Sequence, residues 1–229
     1  MAQVKTKSEV SKIKKACRAT DAIFDNILKQ NLKNMTEVKL RDFILTQIKK
    51  RGLKPSFKPI VTSGKHAGNE IHPFEPLDKK LSGFVIIDFG VIYQKYMSDM
   101  TRTIFIGKPS KKEKDLYNKL LASQIGAIKI CRVGEKCAAI DAYVRKFLGK
   151  NTKYFIHTLG HGVGTKIHES PRIYYKKTRP KFKENMVITI EPGLYMKNKL
   201  GMRIEDTCLI AKKGCIPLTK SSKRLVVVK

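Results

Sequence analysis

The chain has 229 residues, of which 41% are hydrophobic, so it is long enough to bury the core of one compact domain. Its 48 Lys and Arg residues against 19 Asp and Glu residues give a net charge of +29, which favours polyanionic partners such as RNA or a ribosome surface. No apolar run approaches the roughly 20 residues of a membrane helix, and the lysine-rich start lacks the apolar stretch of a signal peptide. We therefore expect a soluble, cytoplasmic protein with no membrane segment.

The first part of the chain has the pattern of two helices followed by strands. Apolar residues at helical spacing predict helices over about residues 8–30 and 36–50, the second with Thr36 as its N-cap. Short apolar runs predict the strands that follow, near 59–63, 84–92 and 100–106.

The second part repeats this order. Ser110 and Glu113 form a capping box that begins a third helix, and a fourth helix is expected over about 136–148. The expected buried face of the third helix contains Tyr117, Leu121, Ile125 and Ile128. Strands return near 154–160, 186–192 and 202–211. The element order predicts an α/β (α+β) protein with two similar αα-β halves in one domain.

Neither the cysteines nor the basic residues form a recognisable site. The five cysteines are scattered and contain no CxxC pair, so neither a disulfide framework nor a zinc knuckle is indicated. Lysines and arginines are spread along the whole chain without a helix-turn-helix or RRM signature. This distribution favours a solvated lysine-rich surface, with weak electrostatic association with RNA or ribosomes as the alternative.

Four carboxylates fall in two segments with the pattern of β-hairpins. FVIIDFGVIYQKYMSDMTRTIFIG carries Asp88 and Asp99, and MVITIEPGLYMKNKLGMRIEDTCLI carries Glu191 and Glu205. Residues equidistant from an antiparallel turn lie opposite each other, with Cβ atoms roughly 5 Å apart. Each hairpin is therefore expected to present two adjacent acids.

The expected turns lie midway between the paired acids. The first midpoint falls between Tyr93 and Gln94, and the second falls on Asn198 in the polar stretch KNKLG. Facing carboxylates beside apolar strands repel each other unless cations lie between them. The residues themselves thus predict a metal site.

A histidine-rich segment lies between the two hairpins. FIHTLGHGVGTKIHESP contains His157, His161 and His168, three of the five histidines in the chain. The neighbouring glycines allow the backbone to pass close to a bound group, so His161 is expected to reach inward as a nitrogen ligand. Carboxylate oxygens with one imidazole suit Mn²⁺, Co²⁺, Fe²⁺ or Zn²⁺.

These segments resemble the motifs of the pita-bread metallopeptidases, the family of methionine aminopeptidases, aminopeptidase P and prolidase. The resemblance covers about residues 8–225 and includes DFGVIYQKYMSDMTRT, HTLGHGVGTKIHESP, ITIEPGLY and GMRIEDTCLI in this order. It implies a pita-bread fold of two pseudo-symmetric halves with a curved antiparallel sheet. It also implies a dinuclear metal centre whose ligands would be Asp88, Asp99, His161, Glu191 and Glu205.

The resemblance further implies an exopeptidase that removes an N-terminal residue from peptides. Asp88 and Asp99 would hold one metal, Asp99 and Glu205 would bridge, and His161 with Glu191 would complete the other site. Two divalent ions lower the pKa of a water molecule and polarise the scissile carbonyl. Glu191 would also take a proton from the attacking water and pass it to the leaving nitrogen.

Further side chains are expected to act on the peptide. His168 would hydrogen-bond the developing oxyanion, while His157 would orient the peptide. A second orienting histidine is expected in IVTSGKHAGNEIHPFEP, where His72 is preferred to His66. Arg203, two residues before Glu205, is expected to hold the carboxylates in place or, alternatively, to be a surface arginine.

Three functions remain open at this point. GMRIED and YMSDMTRT are most similar to the Xaa-Pro peptidase branch, since methionine aminopeptidases typically have His where this chain has Asp206. The length instead favours a methionine aminopeptidase acting on nascent chains, because prolidases usually carry an extra N-terminal domain and residues 1–229 are expected to form the catalytic domain alone. A non-catalytic relative that binds nucleic acid or ribosomes is third, because such relatives have lost metal ligands and all five are present here. The Xaa-Pro peptidase is favoured.

Overall fold

The computed structural model describes residues 4–69, 75–177 and 179–229. Over this part of the chain it contains four α-helices, which are α1 (Lys7–Leu28), α2 (Glu37–Lys50), α3 (Lys111–Ile130) and α4 (Cys137–Leu148). Two helix starts agree with the sequence, because Thr36 caps α2 and Ser110 forms both bonds of the capping box with Glu113. None of these described helices is long and apolar enough to cross a membrane.

The first group of strands follows α2. It consists of β1 (Lys54–Pro55), β2 (Ile60–Ser63), β3 (Gly83–Phe89), β4 (Val91–Tyr93), β5 (Tyr96–Met97) and β6 (Met100–Ile106). The second group follows α4. It consists of β7 (Gly160–Gly162), β8 (Glu169–Ile173), β9 (Val187–Ile190), β10 (Gly193–Met196), β11 (Leu200–Arg203), β12 (Asp206–Ala211), β13 (Gly214–Pro217) and β14 (Val227–Val228).

Two main sheets form the body of the protein. One has the order β14-β6-β3-β2 and the other β13-β12-β9-β7-β8, while β1-β4-β5 and β10-β11 form smaller sheets. All described strand pairs are antiparallel apart from the parallel pair β14–β6. Each main sheet is covered by its own helix pair, which confirms the predicted repeat of two αα-β halves.

Apolar contacts hold each helix pair against one of the two main sheets, and a smaller cluster of α1 residues also packs against the second sheet. Helices α1 and α2 bury Ile23 and Ile44 against Val85 and Ile104 of the first sheet. Helices α3 and α4 do the same against the second sheet, through residues such as Leu120, Val144, Ile188 and Ile210. Because burying an aliphatic side chain contributes roughly 1.5–3 kcal/mol, these two layers account for much of the stability of each half.

Polar contacts join the halves along β6 and the β11–β12 strands, a junction that we call the seam. Glu205 N donates to Thr101 O at 3.1 Å. Thr103 Oγ1 donates to Arg203 O at 2.7 Å and accepts from Arg203 N at 3.1 Å. The threonine hydroxyl thus replaces part of a backbone ladder and fixes how the two halves lie against each other.

Two local predictions are wrong. Gly149–Tyr154 forms a 3-10 helix, and the strand expected near 154–160 is limited to Gly160–Gly162. On α3, Ile125 is 38% exposed, whereas Gln124 is fully buried. The spacing of apolar residues could not predict that Gln124 belongs to the buried face of α3, because this side chain makes a polar contact there. Its Nε2 donates to Asp206 Oδ2 at 2.9 Å.

Candidate active site

The five residues expected to bind metal lie around one cavity of about 1040 Å³. Each is placed at the end of a strand or within a short strand, which fixes the backbone beneath the side chain. They are Asp88 in β3, Asp99 before β6, His161 in β7, Glu191 after β9 and Glu205 between β11 and β12. The structure therefore brings together residues up to 117 positions apart in sequence.

The second hairpin has the register that its sequence predicts. Gly193 pairs with Arg203 on one side, and Ile190 pairs with Asp206 on the other. Glu191 and Glu205 are opposed in the same register between these two ladders. Asn198, at the predicted turn, has φ +56°, a left-handed conformation that asparagine tolerates well.

The first hairpin differs from its predicted register by two residues. Asp88 pairs with Thr101 and not with Asp99. The turn is centred on Gln94 and Lys95, whose φ angles are +47° and +74°. No Asn-Gly or Asp-Gly pair marks this turn in the sequence, so its position was misjudged.

Asp99 is directed into the cavity by a contact from the other half. Its backbone N donates to Thr207 Oγ1 at 3.1 Å, and its carbonyl oxygen accepts from the same hydroxyl at 2.7 Å. His161 Nε2 lies 3.6 Å from Asp99 Oδ2 and 3.3 Å from Glu191 Oε1. Ligand atoms of Asp99, His161 and Glu205 all lie within 4.8 Å of one another.

The orientation of His161 follows from its own hydrogen bond. Nδ1 lies 3.0 Å from Gly162 O, and because a carbonyl can only accept, Nδ1 is the protonated nitrogen. Nε2 is therefore the atom that faces the carboxylates. A histidine held in this way is the usual form of an imidazole metal ligand.

The carboxylates strongly perturb one another. Burial and the negative charge of Glu205 raise the pKa of Asp99, and burial together with Glu191 raises the pKa of Glu205. Burial also acts to raise the pKa of Glu191, but its hydrogen bond and attraction to His161 outweigh this and lower the pKa to about 2. Crowded oxygen donors with one imidazole fit a divalent metal ion, which would relieve the repulsion.

Arg203 holds two of the carboxylates in place through hydrogen bonds. It is 1% exposed, so the alternative of a surface arginine is wrong. Nη2 donates to Asp88 Oδ2 at 2.5 Å, and Nε donates to Thr101 Oγ1 at 3.0 Å. Thr101 Oγ1 in turn donates to Glu205 Oε2 at 2.7 Å, so this one guanidinium fixes two of the carboxylates.

The histidines of the second half lie on the cavity wall. His157 Nδ1 donates to Thr158 O at 2.7 Å, which leaves Nε2 to accept from Tyr195 Oη at 3.1 Å. His168 packs edge-on against His161, with ring centroids 4.4 Å apart. Glu169 holds the turn that carries His168, because it accepts from Thr165 N at 2.9 Å and pairs with Lys5 at 2.6 Å.

His66 and His72 are the two candidates for the second histidine that orients the peptide. His72 lies outside the described residues. His66 lies in a 3-10 turn with Nδ1 2.9 Å from Glu37 Oε2. Glu37 is buried and also accepts from Ser63 N and Leu77 N, so its contact with His66 belongs to the anchoring of this loop.

Sequence reasoning missed a basic side of the same cavity, formed by Lys58, Arg172 and Lys177. Arg172 pairs with His161 across β7 and β8, so both side chains project from the same face of the sheet. A signal was available in principle, since Arg172 comes directly after the histidine segment. In the sequence, however, this arginine could not be distinguished from the basic residues that occur throughout the chain.

The position of Asp206 explains why an acid follows Glu205. Asp206 is fully buried and accepts from Arg102 Nη2 at 2.7 Å, with Lys223 Nζ 2.5 Å away. Although burial acts to raise its pKa, Arg102 and Lys223 lower the pKa to about 2. Arg102 also donates to Glu205 O, so this ion pair holds the backbone of the neighbouring carboxylate.

The fold and this donor set agree with those of a family of metallopeptidases. The sequence pattern of metallopeptidase family M24 matches residues 11–212, and the chain belongs to this family. The family and the pita-bread fold predicted from the sequence are thereby confirmed.

Similar proteins include Xaa-Pro dipeptidases, prolidases and an X-Pro aminopeptidase. The chain is 38% identical to the Xaa-Pro dipeptidase of Pyrococcus furiosus, over 97% of this chain and 65% of that protein. It resembles the solved structure of recombinant prolidase from Thermococcus sibiricus with a TM-score of 0.94 and 35% identity, over 99% of this chain and 63% of that one. It also resembles the solved structure of X-Pro aminopeptidase from Thermotoga maritima, with a TM-score of 0.93 and 32% identity, over 100% of this chain and 65% of that one. The chain thus spans about 65% of the length of the curated relatives.

Proposed function

We propose that this protein is a metal-dependent exopeptidase that removes the N-terminal residue from short peptides with proline second. The observation that carries the proposal is the convergence of four carboxylates and His161 on one cavity. The similarity to Xaa-Pro dipeptidases and prolidases supports the proline specificity. Residues 1–229 would act as one catalytic domain.

Two divalent ions are proposed at the carboxylate cluster, with Mn²⁺, Co²⁺, Fe²⁺ and Zn²⁺ as the candidates. Asp88 and Asp99 would hold one ion, His161 and Glu191 the other, and Asp99 with Glu205 would be shared. When bound, such ions lower the pKa of water and polarise a carbonyl group. The crowding of Asp99 and Glu205, whose pKa values are raised, supports this assignment.

The chain's own residues would move the proton and orient the peptide. Glu191 would accept a proton from the attacking water and return it to the leaving nitrogen. His168, beside His161 at the cavity surface, would donate to the developing oxyanion. His157 and, from outside the described residues, His72 would orient the peptide.

The basic side of the cavity supports a preference for dipeptides. A dipeptide places its carboxylate close to the scissile bond, where Lys58, Arg172 and Lys177 line the wall. Arginine and lysine bind carboxylates through charge-assisted hydrogen bonds. A longer chain would place an uncharged peptide group at the same point.

A peptide panel tests this proposal. Ala-Pro, Ala-Pro-Ala, Met-Ala and Met-Ala-Ser would be assayed with each candidate metal. The expected result is the fastest hydrolysis for Ala-Pro and a loss of rate when its carboxylate is amidated. Preference for Met-Ala-Ser would establish a methionine aminopeptidase instead, and no hydrolysis with any metal would support a non-catalytic relative.

Replacing His168 should separate catalysis from metal binding. His168→Ala is expected to lower kcat by roughly a hundredfold, as does the loss of one oxyanion donor, with metal content unchanged. His168→Asn keeps an N–H donor and should retain more of the rate. Loss of metal from either variant would make His168 a ligand and contradict the proposed role.

The charge of +29 leads to a proposal about RNA. We expect weak, non-specific binding to RNA or ribosomes, which should fall by about a thousandfold between low and physiological salt if six phosphates are contacted. Hydrolysis of a neutral peptide should change far less over the same range, because the ligand cluster is buried. Filter binding and peptidase assays measure both. Binding that persists at physiological salt and prefers one RNA would contradict a solvated lysine surface.

A further inference from the structure

Arg145 on α4 contacts, from outside the cavity, two chain segments, 155–158 and 174–177, and we call these two segments the walls. It is largely buried, with a side chain 16% exposed, and Nε lies 3.1 Å from Oδ1 of the fully buried Asp141. Nη1 donates to Phe155 O at 2.9 Å, and Nη2 donates to His157 O at 2.7 Å. The three nitrogens of this guanidinium thus have three different partners, two of them on the segment 155–158.

A second segment converges on the same ion pair. Tyr175 N donates to Asp141 Oδ2 at 2.8 Å. The guanidinium carbon lies 4.8 Å from the Tyr175 ring centroid and 4.3 Å from that of Phe155. The Asp141–Arg145 pair therefore contacts both 155–158 and 174–177 from outside the cavity.

Both segments carry side chains that line the cavity. His157 comes from the first, and Tyr174 and Lys177 come from the second. Phe155 also packs edge-on against the His157 ring, with centroids 5.0 Å apart, so Arg145 affects the histidine through both its backbone and its neighbour. Arg145 itself does not line the cavity.

We propose that Arg145 is a positioning residue that sets the separation of these two walls and thereby the fit of the peptide. An exposed i,i+4 pair contributes little to the stability of a helix, and it would not need these carbonyl and aromatic partners. Lysine cannot replace arginine here, because one ammonium cannot direct donors to three separate acceptors in a fixed plane. The effect on peptide binding rests on the proposed peptidase function, whereas the coupling of the walls does not.

Hydrogen–deuterium exchange tests the coupling without any substrate. Arg145→Lys and Arg145→Ala should increase exchange at 155–158 and 174–177 together, while the core strands β9 and β12 stay protected. Low-millimolar guanidinium ion should restore protection in Arg145→Ala, at a salt concentration matched with NaCl. Lys111→Ala, which removes the exposed Lys111–Asp115 pair on α3, is the matched control and should leave exchange at both segments unchanged.

Kinetics test the consequence for the substrate. We expect kcat/KM for Ala-Pro to fall about 10–100-fold in both variants, mainly through KM, with metal content unchanged and guanidinium restoring Arg145→Ala. The inference would be overturned if hydrogen–deuterium exchange rose in only one of the two segments or rose uniformly over the whole protein. It would also be overturned if kcat/KM stayed unchanged in an active enzyme. If the wild type cleaves no peptide, the proposed function falls, and the exchange result alone still decides whether Arg145 couples the two walls.

Discussion

Asp99→Asn is expected to abolish peptide hydrolysis and to lower metal binding by at least a hundredfold, the upper end of the effect of disturbing an outer-shell residue. Asp99 is buried beside His161 and Glu205, with its pKa raised by burial and by the surrounding carboxylates. The amide keeps the shape but removes the charge that a divalent ion needs. Metal analysis of purified protein and a peptidase assay measure the two effects.

The same substitution should have opposite effects on stability with and without metal. In metal-free protein Asp99→Asn removes repulsion and should unfold at the same or a higher temperature than wild type. At a metal concentration 1,000 times Kd, the free energy of unfolding of the wild type should rise by about 4 kcal/mol. In a chain of this size that raises the melting temperature by roughly 8–16 °C, and the variant should gain far less. Asp115→Asn changes an exposed carboxylate on α3 and serves as the control. Full activity of metal-stripped wild type in the presence of chelator would contradict the metal site.

Asp206→Asn is expected to destabilise the protein by about 3–5 kcal/mol, because it leaves the buried Arg102 without its counter-ion. In a chain of this size that corresponds to a lower melting temperature by about 6–20 °C. Thermal or denaturant unfolding measures the loss. Metal affinity should also fall, since Arg102 holds the carbonyl of Glu205.

A double-mutant cycle shows whether Asp206 acts through Arg102. The double variant Asp206→Asn with Arg102→Met should lose less stability than the sum of the two single losses, because each single change leaves an uncompensated charge. Asp42→Asn breaks the more exposed pair with Arg41 and should change stability by no more than about 1 kcal/mol. Additive losses in the cycle would show that Arg102 and Asp206 act independently.

Local sequence signals predicted the elements best where backbone and side-chain preferences agree. The caps of α2 and α3 follow directly from Thr36, Ser110 and Glu113, whose side chains bond within one turn. The second hairpin was correct because its polar three-residue turn is centred on Asn198. The first was shifted because Gln94 and Lys95 adopt positive φ without a residue type that indicates it.

Contacts between distant segments were the part that sequence could not supply. The proposed metal ligands could be picked out by residue type and order, whereas most of the contacts that support them could not. The sequence left Arg203 either as a support for the carboxylates or as a surface arginine, and only the packing of strands and helices places it beside Asp88 and places Arg145 behind His157. Gln124 shows the same limit, because a polar residue is buried there for a partner 82 positions away.

Because the proposed metal ligands lie on both sides of the seam, metal binding would report whether the two halves are docked. Asp88 and Asp99 belong to the first half, whereas His161, Glu191 and Glu205 belong to the second. Neither half alone contains all five proposed ligands, so we expect a cation to be held tightly only when the halves are docked. A change at Thr103, which touches none of these ligands but bridges the halves through Arg203, would therefore be observed first as weaker metal retention.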